Sequence, residues 1–295
     1  MFRVRRLLAP FVLCIALLFS EAQAFTIAWL SDTQNYHNAY KPIFDGMTQW
    51  IADNRAALDI RFVFHTGDVV GRWSSEDQWR QARESMGILS NASIPFLVAC
   101  GNHDIGYRMN YANFLKYVLS LRPASMSQEY GDTGSRYELF SANGRDYIFM
   151  GIAFSNKGPS EDEVNWINGV LRQYSSRDAI IITHSYLKKS ASYTTQGKAI
   201  FEKIVKANPN VFLVLCGHCR DISYKNVQLD DDGDGDPDRT VYAILSNFQG
   251  SKAGGGGYMR ILDFRDSDIY IYTYSPYYDS CEYPKGKTEA TVPLP

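Results

Sequence analysis

The sequence predicts an α/β chain, a β-sandwich flanked by helices in four layers, α/β/β/α. Three observations predict it. Short apolar runs recur, and each is followed at once by Gly, Asp, Asn or His. Stretches with helical spacing fall between them, and the C-terminal part turns strand-rich. Strands alternating with helices, then a succession of strands, imply packed sheets covered by helices.

The chain opens on Arg3, Arg5 and Arg6, an apolar run from Leu7 to Phe19, and the small residues of Ala22-Gln23-Ala24. That order reads as a secretory signal peptide over residues 1–24, leaving 25–295 as one domain exported to the periplasm or the medium. An uncleaved anchor is the alternative, but the run is short of the roughly 20 residues of a span. Cys14 follows the bulky Leu13, which argues against a lipoprotein site.

Five apolar runs then read as buried strands. Phe25 to Leu30 leads to Asp32, and Ile60 to Phe64 leads to Gly67-Asp68. Ile94 to Ala99 leads to Gly101-Asn102-His103-Asp104. Ala179 to Thr183 leads to His184, and Val211 to Leu215 leads to Gly217-His218. Helical spacing marks Met47 to Ala57, Glu76 to Leu89 and Lys198 to Lys206, the last stopped by Asn208-Pro209. Ser160 and Glu163 form a capping-box pattern ahead of Val164, Ile167, Val170 and Leu171. Tyr137 to Ser141 and Tyr147 to Gly151 flank Asn143-Gly144, a hairpin signal. Val241 to Leu245, Tyr258 to Phe264 and Ile269 to Tyr274 complete the strands.

Thirty basic against 32 acidic residues give a net charge of −2, with no long basic block. No nucleic-acid partner is indicated, nor any membrane span after signal cleavage. Oligomeric state has no signature. Four cysteines follow the signal, Cys100, Cys216, Cys219 and Cys281, which permits two disulfides without assigning pairs. Cys100 and Cys216 each precede a glycine turn and are expected near each other.

Ligands in α/β folds collect outside the carboxyl ends of strands. Those ends here carry Asp32, Asp68, Asn102, His103, His184 and His218, including three of only five histidines. Carboxylates, an amide oxygen and imidazoles together suit Mn, Fe or Zn rather than Ca. Such a set can hold two ions about 3.5–4 Å apart, bridged by one carboxylate.

Asp32-x-Gln34, Gly67-Asp68, Gly101-Asn102-His103-Asp104, His184 and Gly217-His218-x-Arg220 together resemble the calcineurin-like metallophosphoesterase signature D-x-H, G-D-x-x-D/N, G-N-H-D/E, H and G-H-x-H. The resemblance covers most of the mature chain, and its Gly-Asn-His-Asp element is the most specific piece. It implies hydrolysis of a phosphomonoester or phosphodiester by metal-activated water, with two divalent or trivalent transition metals. Asp68 would bridge them, Asn102, His184 and His218 would complete the second site, and Asp32 and Gln34 would hold the first. His103, paired with Asp104, would contact phosphate and protonate the leaving oxygen. Three positions depart from the pattern: Gln34 and Arg220 replace histidines, and Gly71 replaces Asp or Asn. The expectation is a weak first site, with Arg220 gripping a phosphate oxygen and His37 a substitute ligand to consider.

Two other readings compete. A non-catalytic metal- or phosphate-binding protein would explain Gln34 and Arg220. Cys216-Gly217-His218-Cys219 is a C-x-x-C sequence, the mark of thiol–disulfide oxidoreductases, although no helix pattern follows it. Asp230 to Asp238 reads as a solvated acidic loop, with a structural Ca²⁺ site as the competing idea. Gly254 to Gly257 reads as a mobile loop at the rim of the site.

Overall fold

Both sheets of the molecule are mixed, and their parallel strands point their carboxyl ends at one place. The computed structural model describes residues 24–106, 109–121, 127–131, 133–283 and 289–295. The expected signal segment therefore lies outside the described residues but for Ala24. In chain order the elements are β1 (Phe25–Leu30), α1 (Lys41–Asp53), β2 (Ile60–His65), α2 (Glu76–Asn91), β3 (Phe96–Val98), α3 (Asn102–Ile105) and α4 (Ala112–Tyr117). There follow β4 (Ser127–Tyr130), β5 (Ser135–Ala142), β6 (Arg145–Ile152), α5 (Glu161–Gln173), β7 (Asp178–Thr183) and α6 (Thr195–Ile200). The chain ends with β8 (Val211–Cys216), β9 (Asp221–Leu229), β10 (Arg239–Asn247), β11 (Met259–Phe264), β12 (Asp268–Tyr274) and β13 (Ala290–Pro293).

One sheet runs β13-β12-β11-β1-β2-β3, the other β4-β5-β6-β7-β8-β10-β9. In the first, β1, β2 and β3 are parallel and β11 joins β1 antiparallel. In the second, β6, β7, β8 and β10 are parallel, with β5 and β9 antiparallel beside them. Every residue of β1 and of β8 is buried, which is why those strands read as unbroken apolar runs rather than alternations.

Three large cores fill the four layers, and a small fourth cluster joins Phe248, Tyr258 and Tyr283. Phe62, Phe64 and Phe149 meet between the sheets, with ring centroids 4.8 and 5.0 Å apart across the sandwich. Ile43, Met47, Trp79 and Met86 close the outer face of the first sheet beneath α1 and α2. Val164, Ile167, Ile200 and Ile204 close the other beneath α5 and α6. The α/β/β/α expectation holds.

Several details differ from the sequence reading. α1 starts at Lys41, not Met47, because Pro42 suits a first helical turn. It ends at Asp53 rather than Ala57. The capping box before α5 is half made: Ser160 Oγ accepts from Glu163 N, but the Glu163 carboxylate bonds Ser135 Oγ instead. The helix after Thr194 finishes in a π-turn over Phe201–Val205. Asn143 and Gly144 both have positive φ, 53° and 74°, as a two-residue hairpin requires.

All four described cysteines are free thiols. Cys100 belongs to the core under α1 and α2, and Cys216 to the core under α5 and α6. They sit on opposite outer faces of the sandwich, so the expected proximity is not found. Among the described residues no helix is long and apolar enough to cross a membrane.

Candidate metal centre

Tight turns deliver the site residues from the strand ends. Asp32 follows β1 at φ 50°, Asp68 follows β2 at φ 53°, and His218 follows β8 at φ 69°. A left-handed conformation at a non-glycine residue costs about 1–2 kcal/mol, and three such residues in one place mark a functional site. Neighbouring glycines let the turns touch. A Cβ on Gly101 would lie 2.3 Å from Asp68 Oδ1, and one on Gly217 would lie 2.3 Å from Asp32 Oδ2. The glycines of these two motifs are thus clearances for a carboxylate, whereas Gly67 clears the backbone at Ala99 and Gly101.

The side chains converge on His184 Nε2. Around it lie Asn102 Oδ1 at 3.0 Å, His218 Nδ1 at 3.1 Å and Asp68 Oδ1 at 3.3 Å. The opposite ring nitrogen, Nδ1, faces the Thr66 carbonyl at 2.8 Å and therefore carries a hydrogen. One proton on Nε2 could satisfy only one of the three remaining contacts. A cation among the four atoms satisfies all of them, and the mixed oxygen and nitrogen set suits a transition ion. Burial works against a proton on His184, but Asp68 beside it and then Asp32 push its pKa up to about 9. Burial and the neighbouring His184 bring His218 down to about 4, so it stays neutral and able to ligate.

Asp68 presents its other oxygen, Oδ2, to a second half-site, where Gln34 Nε2 donates to it at 3.0 Å. Gln34 Oε1 is buried without a hydrogen-bond partner, an acceptor left over for a cation. Asp32 is fully buried and accepts from Ser31 Oγ and from His218 N at 3.1 Å. Burial, reinforced by Asp68, pushes its carboxyl up to about 7 against the pull of His184. This half-site fits a cation too, but it offers oxygen donors and no imidazole.

Other expected residues are placed differently. The Asp104 carboxylate does not pair with His103. It accepts from Val69 N, Val70 N and Gly101 N at 2.8, 3.1 and 2.8 Å, clamping the two motif loops together. His103 Nδ1 instead contacts the Gly71 carbonyl at 2.9 Å, which corrects the expected dyad. Arg220 is exposed and does not line the cleft over the centre. The guanidinium at that cleft is Arg72, which the sequence reading passed over together with Trp73 and Asn156. His37 Nδ1 is engaged with the Gln34 carbonyl at 3.0 Å, and the ring stands outside the donor cluster.

His65 also escaped notice. Burial, then His184, lowers its pKa to about 3, so the ring is neutral. Its Nδ1 accepts from Gly67 N at 3.1 Å, which leaves Nε2–H to donate to Thr33 Oγ at 3.0 Å. The turn after β1 and the turn after β2 are thereby tied through one ring.

The C-x-x-C thiols lack what redox chemistry needs. Cys216 is buried and its thiol is pushed up to about 12, whereas a reactive cysteine has a lowered pKa. A strand, β9, follows it rather than a helix. In the acidic loop, Asp230, Asp232 and Asp238 bring carboxylate oxygens within 4.8 Å of one another, all exposed. The Gly254 carbonyl accepts from Asn35 Nδ2 at 3.4 Å, and none of Gly254 to Gly257 lines the cleft.

The sequence and the fold both have known relatives. A protein of Bacillus subtilis (strain 168), YvnB, described as uncharacterized, is 41% identical over 259 residues, 86% of this chain. The match takes up only 20% of that relative, so the chain spans about a fifth of its length. A dimetal phosphatase from Danio rerio shares the fold at TM-score 0.62 and 12% identity, covering 91% of this chain and 98% of that one. GAP50, the anchor in the inner membrane complex of Plasmodium, gives 0.58 and 13%, covering 92% and 89%. Purple acid phosphatase PPD1 from yellow lupin (Lupinus luteus) seeds gives 0.57 and 12%, covering 92% and 54%. Residues 25–219, which carry every motif residue but Arg220, match the calcineurin-like phosphoesterase family, and the chain belongs to that family.

Proposed function

We propose that the protein hydrolyses phosphoesters, monoesters or diesters, at a centre of two transition ions of unequal affinity. The observation that carries this is the convergence of Asp68, Asn102 and His218 on His184 Nε2, a donor set that one bound cation would satisfy together. When bound, the ions neutralise phosphoryl oxygens and lower the pKa of a bound water. The protein supplies the rest. Asp68 turns one oxygen to each half-site. Asn102 lies between the donor cluster and the cleft, where its amide can orient a phosphate oxygen. His103 is exposed at the cleft with Nδ1–H held by the Gly71 carbonyl, so Nε2 is left facing the cleft and gives a proton to the departing oxygen when the ring enters the reaction as the imidazolium. A shared fold does not by itself require catalysis, and one protein of this fold is described as an anchor.

The test is hydrolysis of p-nitrophenyl phosphate and bis-p-nitrophenyl phosphate by protein loaded with Mn, Fe or Zn, beside Asp68→Asn. Turnover with metal and its loss in the variant are expected. A folded, metal-loaded protein with no turnover would favour the second reading, a phosphate- or metal-binding protein, to which the Gln34 amide on Asp68 already points. We also propose export, with cleavage before Phe25, which N-terminal sequencing of the protein from its host would check.

A further inference from the structure

The cleft of about 540 Å³ over the centre has two unlike ends. Asn102 and His218 line the end at the donor cluster, and Arg72, Trp73 and Gly106 line the other. His103 stands between them. A general acid delivers its proton to the oxygen that departs, so the leaving group emerges on the His103 side. His103 is held by the carbonyl of Gly71, and Gly71 is joined directly to Arg72 and Trp73. A group leaving on that side would meet those two residues.

Trp73 is built in as a wall. Its indole lies on Gly106, where an added Cβ would fall 2.2–2.7 Å from indole Nε1, Cδ1 and Cε2. Gly106 also has φ +62°, a conformation that favours glycine. The Trp73 carbonyl is pinned by Trp79 Nε1 at 2.7 Å and by Asn113 Nδ2 at 2.9 Å. One side of the indole is thus backed by main chain while the residue remains half-buried at the cleft. Arg72 is exposed beside it and supplies the only Lys or Arg among the described residues lining the cleft.

We propose that the site selects phosphoesters whose leaving group carries a planar aromatic ring, stacked on Trp73 as it departs past His103 and Arg72. The inference rests on the phosphoesterase reading, because it takes His103 as the proton donor. An indole that merely braced α3 would leave ligand choice unchanged when replaced.

Phenylphosphonate and cyclohexylphosphonate test this on the Mn-loaded full chain. They match in charge and ring size, differ in flatness, and are not hydrolysed. Calorimetry should show phenylphosphonate binding about fivefold tighter, the size expected of one aromatic contact. Trp73→Leu should bring the two within about twofold, and Trp73→Phe should keep the preference. Should Trp73→Leu not fold, a nuclear Overhauser effect from phenylphosphonate ring protons to the Trp73 indole in the wild type loaded with diamagnetic Zn²⁺ gives the same answer. Equal binding of the two ligands by wild type, a preference unchanged in Trp73→Leu, or no such Overhauser effect would overturn the inference. Metal-dependent turnover without ring preference would sink this proposal alone. Ring preference without turnover under any metal would sink the hydrolase reading and leave ring recognition standing.

Discussion

Around Asp68 the molecule presents two half-sites that share one carboxylate and differ in nearly everything else. On the Oδ1 side, two imidazoles and an amide oxygen crowd together within 3.3 Å, and the Thr66 carbonyl fixes the tautomer of His184. On the Oδ2 side, Gln34 turns its amide N–H toward the carboxylate, and the position that could have supplied an imidazole holds an exposed Arg220. Both sides rest on left-handed turns cleared by glycine, so the backbone is built equally well for two ions. The difference lies in the ligands alone. A frame of this precision can therefore keep a cation on one side even where the other side's donors have weakened.

Breaking the strong side should have the largest effect. His184→Ala should weaken Mn binding by at least about a hundredfold, since even outer-shell partners of metal ligands are worth 10–100-fold. Gln34→Ala should cost about tenfold or less by the same scale. Equilibrium dialysis of both variants checks the contrast, and equal losses would erase it.

Proton competition sharpens the comparison next. Without metal, His184 holds a proton up to about pH 9, chiefly because Asp68 and Asp32 outweigh the burial that opposes it. The ion must displace that proton, so affinity should rise about tenfold per pH unit from pH 6 to 8 and flatten near 9. His218, near 4, adds nothing over that range. Calorimetry in buffers of different ionisation enthalpy should find about one proton released per ion at neutral pH. A flat pH dependence would contradict the assignment of His184.

The frame itself can be probed through glycine. Gly217→Ala drives a Cβ to within 2.3 Å of Asp32 Oδ2 and should cost about 1–3 kcal/mol of stability in a denaturant titration. Gly46→Ala, in α1 with nothing within 4 Å, should instead stabilise by about 0.5–1 kcal/mol. The smallest change expected is in Arg220→His. Restoring the family's imidazole two residues after His218 should raise first-site occupancy a few-fold, read as metal per chain at limiting Mn.

The legible parts of the molecule were those where local chemistry is self-announcing. An unbroken apolar run ending in Gly-Asp or Gly-His declares a buried strand and a polar turn together, so β1, β2, β7 and β8 and their ligands could be placed. β9 could not: only Ser223 along Asp221–Leu229 is buried, so it carries no apolar alternation. Asp104 was visible as part of a motif, but its fate as a clamp on three backbone N–H groups depends on two loops meeting in space. Trp73 and Arg72 carry no pattern, because their place at the cleft is set by Gly106, more than 30 residues away in sequence. Cys100 and Cys216 misled because similar local sequence hides which face of a sheet a residue takes.

Anomalous diffraction from crystals of residues 25–295 grown with Mn²⁺ tests the central claim most directly. The account predicts one strong Mn peak among Asp68, Asn102, His184 and His218, and a weaker one near Asp32, Gln34 and Asp68. No peak at the His184 cluster, with Mn present and the side chains ordered, would contradict it.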